Sequence, residues 1–113
     1  MRQKIYTDGS GDGRMAWYNE NTGECKIYRQ AGITNNQAEY LSIIKALESH
    51  SDESEIIIFS DSQLVVNQLN HKYFIKDGNL RKLALKVWKL IENKNIKFIH
   101  IPRKKNKAGK ILG

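Results

Sequence analysis

Residues 55–60 read Glu55-Ile56-Ile57-Ile58-Phe59-Ser60, and Asp61-Ser62-Gln63 follow at once. The run is short and continuously apolar, without the alternation of a half-exposed strand. That pattern predicts a strand buried on both faces, and so a parallel neighbour. Working outward, residues 2–8 (RQKIYTD) alternate toward a first strand that ends at Gly9-Ser10, with a turn through Gly11 and Gly13. Residues 14–20 and 24–30 read as two further strands around Asn21-Thr22-Gly23. Thr34 stands as a helix N-cap, and the spacing of Ala38, Leu41, Ile44 and Leu47 predicts an amphipathic helix over 35–49. A short helix opens at Asp61-Ser62. A longer one covers 79–93, with Leu80, Leu83, Ala84, Val87 and Ile91 on one stripe. Residues 96–101 form the last strand and a short helix follows Asn106.

The order β-β-β-α-β-α-α-β-α predicts an α/β fold. It is a mixed five-stranded sheet, with strands 1–3 antiparallel, strands 4 and 5 parallel to strand 1, and helices on both faces. At 113 residues the chain reads as a single domain, 1–113. The lone cysteine, Cys25, reads as a small half-buried strand residue and argues for no disulfide framework. No apolar run has signal-peptide length or the length to span a bilayer, so a cytoplasmic protein with no membrane partner is expected. The net charge of +7 is uneven: residues 1–70 hold six Lys/Arg against ten Asp/Glu, and residues 71–113 hold thirteen against two. A basic segment beside an acidic one suits a polyanion gripped by one part and acted on by carboxylates of the other.

Three acids stand in unusual places. Asp8 ends the first strand and Asp61 the fourth. In a parallel pair those ends lie together, at the edge where α/β sheets bind ligands. Glu39 lies early in the helix over 35–49 and can reach the same edge. Singly, Asp8 reads as a turn residue, Asp61 as an N-cap and Glu39 as a first-turn charge. Together they make three mutually repelling carboxylates that call for a cation, and Mg²⁺ or Mn²⁺ suits hard oxygen ligands.

The blocks Tyr6-Thr7-Asp8-Gly9-Ser10, Thr34-Asn35-Asn36-Gln37-Ala38-Glu39 and Ser60-Asp61-Ser62-Gln63 resemble, in order and spacing, the signature blocks of type 1 ribonuclease H. The resemblance covers nearly the whole chain. It implies an endonuclease that hydrolyses the RNA strand of RNA–DNA hybrids with two metal ions, leaving 5′-phosphate and 3′-hydroxyl ends. It further implies that Asp8 is the ligand common to both ions and that Glu39 and Asp61 complete the set. By the same resemblance Gly9, Ser10, Asn35, Asn36 and Gln63 contact the hybrid, and Thr34 a phosphate of the DNA strand. The expected enzyme acts as a monomer.

Two features depart from the family pattern. Its fourth acid falls in register on Lys110, or on Gly109 with a one-residue gap, within Arg103-Lys104-Lys105-Asn106-Lys107-Ala108-Gly109-Lys110. Neither is an anionic ligand. The alternative is an Asp-Glu-Asp-Asn variant in which the amide oxygen of Asn106 serves as a neutral ligand, against a plain N-cap role for that residue. The family's loop histidine is also missing, and Arg103 stands where it could assist the phosphate by charge. Only His71–Gly78 separate the two central helices, so the chain resembles a compact form without the basic protrusion. A catalytically weakened domain that binds nucleic acid or protein is the alternative function.

Overall fold

The computed structural model describes residues 2–113. Three strands, β1 (Gln3–Gly9), β2 (Arg14–Asn19) and β3 (Cys25–Arg29), lead into α1 (Asn35–Ser49). Then come β4 (Glu55–Ser60), α2 (Gln63–Leu69), α3 (Gly78–Leu90), β5 (Asn95–His100), a single 3₁₀ turn (Arg103–Lys105) and α4 (Lys107–Leu112). The strands form one sheet in the order β3-β2-β1-β4-β5, with β1–β2 and β2–β3 antiparallel and β1–β4 and β4–β5 parallel. This is the architecture expected from the sequence. Eight residues connect α2 to α3, Asn70 to Asp77, in keeping with the short connection read from the sequence.

The period-two alternation of the strands divides the core into two parts. Ile5, Trp17, Ile56 and Ile58 face one side and pack with α1, α2 and α3 through Tyr40, Ile43, Val65, Leu69, Ala84 and Val87. Tyr6 and Ala16 face the other side and meet Ala108 and Leu112 of α4. Asp8 has the parity of Tyr6 and so leaves the sheet on the α4 side. Trp88 lies at the core edge, its Nε1 donating to Leu69 O and its ring stacked on His71. Cys25 differs from expectation: it is exposed, because β3 is the sheet's outer strand and Cys25 begins it.

Local capping sets the entry of each helix that carries a functional residue. The Thr34 hydroxyl accepts from Gln37 N, and the Gln37 side chain accepts from Thr34 N, a reciprocal box that fixes the start of α1. The Ser62 hydroxyl accepts from Val65 N to start α2, so Asp61 is left outside the helix. The end of β1 passes so close to α1 that a Cβ on Gly9 would fall onto the Ala38 carbonyl and lie 2.5 Å from Glu39 N. Backbone on both sides has nowhere to go. We expect Gly9→Ala to cost about 3 kcal/mol through overpacking. The midpoint of denaturant unfolding checks this, and an unchanged midpoint would mean that the β1–α1 approach is looser than described.

Candidate active site

Three elements deliver the three acids to one place. The β1–β4 register pairs Tyr6 with Phe59, so two residues further on Asp8 and Asp61 leave the sheet side by side. Glu39, in the second turn of α1, is 5% exposed and its Oε1 accepts from Gly9 N at 3.0 Å. One carboxylate oxygen from each of Asp8, Glu39 and Asp61 lies within 4.8 Å of the other two. The acids line a cavity of about 260 Å³ together with Gly9, Asn35, Ser62 and Arg103.

The electrostatics follow from this crowding. Burial, and then the charges of Asp8 and Asp61, push the Glu39 carboxyl up to about 9. Burial, and then the charge of Asp61, push Asp8 up to about 6. The Gly9 N–H and the Arg103 guanidinium oppose both shifts without cancelling them. No Lys or Arg forms a salt bridge with any of the three among the described residues. Clustered hard oxygen donors without an ion-pair partner fit a divalent cation such as Mg²⁺, which prefers one or two carboxylates and several waters.

The residues expected to contact substrate divide into two groups. Gly9, Asn35 and Arg103 line the acidic cavity, and Ser10 lines the cavity beside it. Thr34, Asn36 and Gln63 line neither: Thr34 is occupied with the α1 cap, and Gln63 is an exposed residue of the first turn of α2. Tyr73 and Phe74 are exposed in the α2–α3 connection, so their faces are open. Ser62, read from the sequence only as part of the start of a short helix, also lines the acidic cavity.

Asn106 lies beside the acids, fully buried, but its amide is turned the other way from a ligand. Its Oδ1 accepts from Ala108 N at 3.1 Å, capping α4. Its Nδ2 donates to Thr7 O at 2.9 Å and to Asp61 Oδ2 at 3.3 Å. Offering the oxygen to a cation would break the cap and set carbonyl against carbonyl at Thr7. The geometry therefore serves the N-cap alternative and adds a donor to Asp61 that spacing alone did not reveal. Gly109 comes close to the acids: a Cβ there would lie 3.2 Å from Asp8 Oδ2. Gly109 thus leaves Asp8 open on this side, with Lys110 next in the chain and on the wall of the adjoining cavity.

A mixed sheet in this strand order, with three acids at the joined ends of β1, α1 and β4, defines a ribonuclease H-like domain. Residues 6–112 match the family described as Reverse transcriptase-like. A Ribonuclease H of Chlorobium phaeobacteroides is 31% identical over 114 residues, covering 92% of this chain and 73% of that protein. A Ribonuclease HI of Campylobacter jejuni is 34% identical over 96 residues, covering 76% of this chain and 65% of that one. The solved RNase H1 of the halophilic archaeon Halobacterium salinarum superposes with a TM-score of 0.89 at 29% identity, over 99% of this chain and 94% of that one. LC11-RNase H1, solved in complex with an RNA/DNA hybrid, gives 0.86 at 28% identity, over 96% of this chain and 91% of that one. The chain belongs to the type 1 ribonuclease H family, and its class of activity is that of a ribonuclease. No helix among the described residues is long and apolar enough to cross a membrane.

Proposed function

We propose that this chain is an endonuclease that hydrolyses the RNA strand of RNA–DNA hybrids, leaving 5′-phosphate and 3′-hydroxyl ends. The observation that carries the reading is the meeting of three carboxylates within 4.8 Å on an open cavity, with Asp8 and Glu39 held well above the ordinary carboxylate range. Asp8, Glu39 and Asp61 are the residues that would hold two Mg²⁺ ions, with Asp8 common to both; Mn²⁺ suits the same oxygens. When bound, such ions activate water and neutralise charge at the scissile phosphate.

The chain's own groups do the rest. Gly9 N–H keeps Glu39 turned into the cavity, and Asn106 Nδ2 holds Asp61 against the end of β1. We give Asn106 this positioning role. A ligand role would require its amide to rotate, at the cost of the α4 cap. Arg103 lines the cavity beside Asp8 and Asp61, where its charge suits a phosphate oxygen. Asn35 stands on the cavity wall with an amide able to read a 2′-hydroxyl, the group that separates RNA from DNA. The hybrid bound by LC11-RNase H1 lends the substrate class its support.

The replacement of the fourth acid by Gly109-Lys110 favours the second reading, a weakened domain that binds nucleic acid without cutting it. Incubating the protein with labelled RNA–DNA hybrid, double-stranded RNA and duplex DNA, in Mg²⁺ and in Mn²⁺, separates the two. We expect cleavage of the RNA strand of the hybrid alone. Hybrid that is bound but stays intact in both metals would reject the enzymatic reading in favour of the second.

A further inference from the structure

A second cavity, of about 390 Å³, opens on the other side of Asp8. It shares Asp8, Gly9, Asn35 and Arg103 with the acidic cavity, so the two are neighbouring chambers with a common wall. Its charge is the reverse. Arg14, Arg103, Lys104 and Lys110 line it, and Asp8 is its one acidic side chain. Leu112 and Gly113 also line it, and Ser10 adds a hydroxyl. Among the lining side chains four cations stand against one carboxylate, and even with Arg14 paired to Asp12 the excess of positive charge repels a metal ion and attracts an anion.

Arg14 is the fixed element of this chamber. Its Nε donates to Asp12 Oδ2 at 2.8 Å, and its Nη1 donates to Leu112 O at the end of α4. The guanidinium is held from two sides while its remaining N–H groups stay available. The other contribution is the bare α-carbon of Gly109, which leaves Asp8 Oδ2 uncovered at the common wall. Any larger residue there would crowd Asp8 Oδ2.

We propose that this chamber is a phosphate subsite for the RNA strand, in which Arg14, Lys104 and Lys110 grip the phosphate next to the scissile one. It rests on the hybrid-cleaving reading above and extends it. A strand whose scissile phosphate sits over Asp8, Glu39 and Asp61 must carry its neighbouring phosphate past Asp8, and on this flank the wall is cationic. The grip fixes the register of the strand over the acids, which the short α2–α3 connection is too small to do from that side.

The test uses a chimeric strand paired with DNA. A few central ribonucleotides confine cleavage, and one uncharged methylphosphonate is stepped through the linkages on either side of the cleaved bond, the nucleoside on the 5′ side of each such linkage carrying a 2′-O-methyl group. Both lysines are exposed or nearly so at the chamber mouth, so the Lys104→Ala/Lys110→Ala protein should melt like the unaltered one. For the unaltered protein we expect one position beside the cleaved bond at which the neutral linkage lowers kcat/KM about tenfold. The double variant should start about tenfold lower and lose nothing more at that position. The subsite is overturned if the neutral linkage costs both proteins equally, or if no position is sensitive. Failure of the unaltered protein to cut the all-phosphate hybrid would overturn the function and, with it, the subsite.

Discussion

Asp8→Asn is expected to lower hybrid cleavage by about a thousandfold or more while leaving the fold intact. The acid sits on the common wall of both chambers, opposite Gly109 and next to Asp61, and among the described residues the cluster holds no fourth carboxylate to take its place. Loss of several kcal/mol of charge stabilisation in the reacting state corresponds to that factor. Asparagine keeps the volume and one oxygen but removes the charge, so the effect should appear in kcat with little change in hybrid binding. The melting temperature of the metal-free variant should not fall, because Asp8 is pushed up to about 6 by burial and by Asp61 and is unfavourable when ionised. Single-turnover cleavage alongside a thermal melt checks both halves. Residual activity within tenfold of the unaltered protein would place the reaction elsewhere.

Glu39→Gln should move activity and stability in opposite directions. Burial and the charges of Asp8 and Asp61 push the Glu39 carboxyl up to about 9, against 4.5 for the free group. The folded, metal-free protein therefore holds this proton over a range in which the unfolded chain has released it. Where the folded state binds more protons, stability falls as pH rises. This contribution is complete below about 4.5 and is lost progressively toward about 9. We expect the metal-free protein to lose on the order of 3 kcal/mol between pH 5 and pH 8 through this group. The amide oxygen of the introduced glutamine can still accept from Gly9 N, so the variant should escape most of that loss and melt higher at pH 8. It should also lose nearly all cleavage, having given up one of three anionic ligands. Saturating Mg²⁺ should stabilise the unaltered protein at pH 8 far more than the variant, because ligand binding to the folded state alone adds stability. Parallel pH profiles for the two metal-free proteins would show that Glu39 is not the titrating group.

Much of the fold was legible because it rests on local regularities. The apolar run Ile56-Ile57-Ile58 can only be satisfied between two strands, and the alternation of β1 assigns Ile5 to one face and Tyr6 and Asp8 to the other. The cap at Thr34 announces its helix within four residues, whereas the cap read at Asp61 falls one residue later, on Ser62. Cys25 was misjudged because alternation marks a strand without saying whether it lies inside the sheet or at its edge. The same limit governs Arg14, whose partner Leu112 is 98 residues away.

The order of elements and the meeting of the three acids can be read along the chain, since strand parity, helix entry and the parallel register bring Asp8, Glu39 and Asp61 to one edge. What surrounds them depends on packing between distant segments. An amide offers an oxygen or a nitrogen according to its neighbours, and Asn106 shows Asp61 its nitrogen because Ala108 N donates to the oxygen and Thr7 O accepts from the nitrogen. A glycine exposes whatever lies behind it, and Gly109 exposes Asp8 because α4 packs on the face that Tyr6 and Asp8 share. Such contacts join residues about a hundred positions apart, where no local period can carry the information.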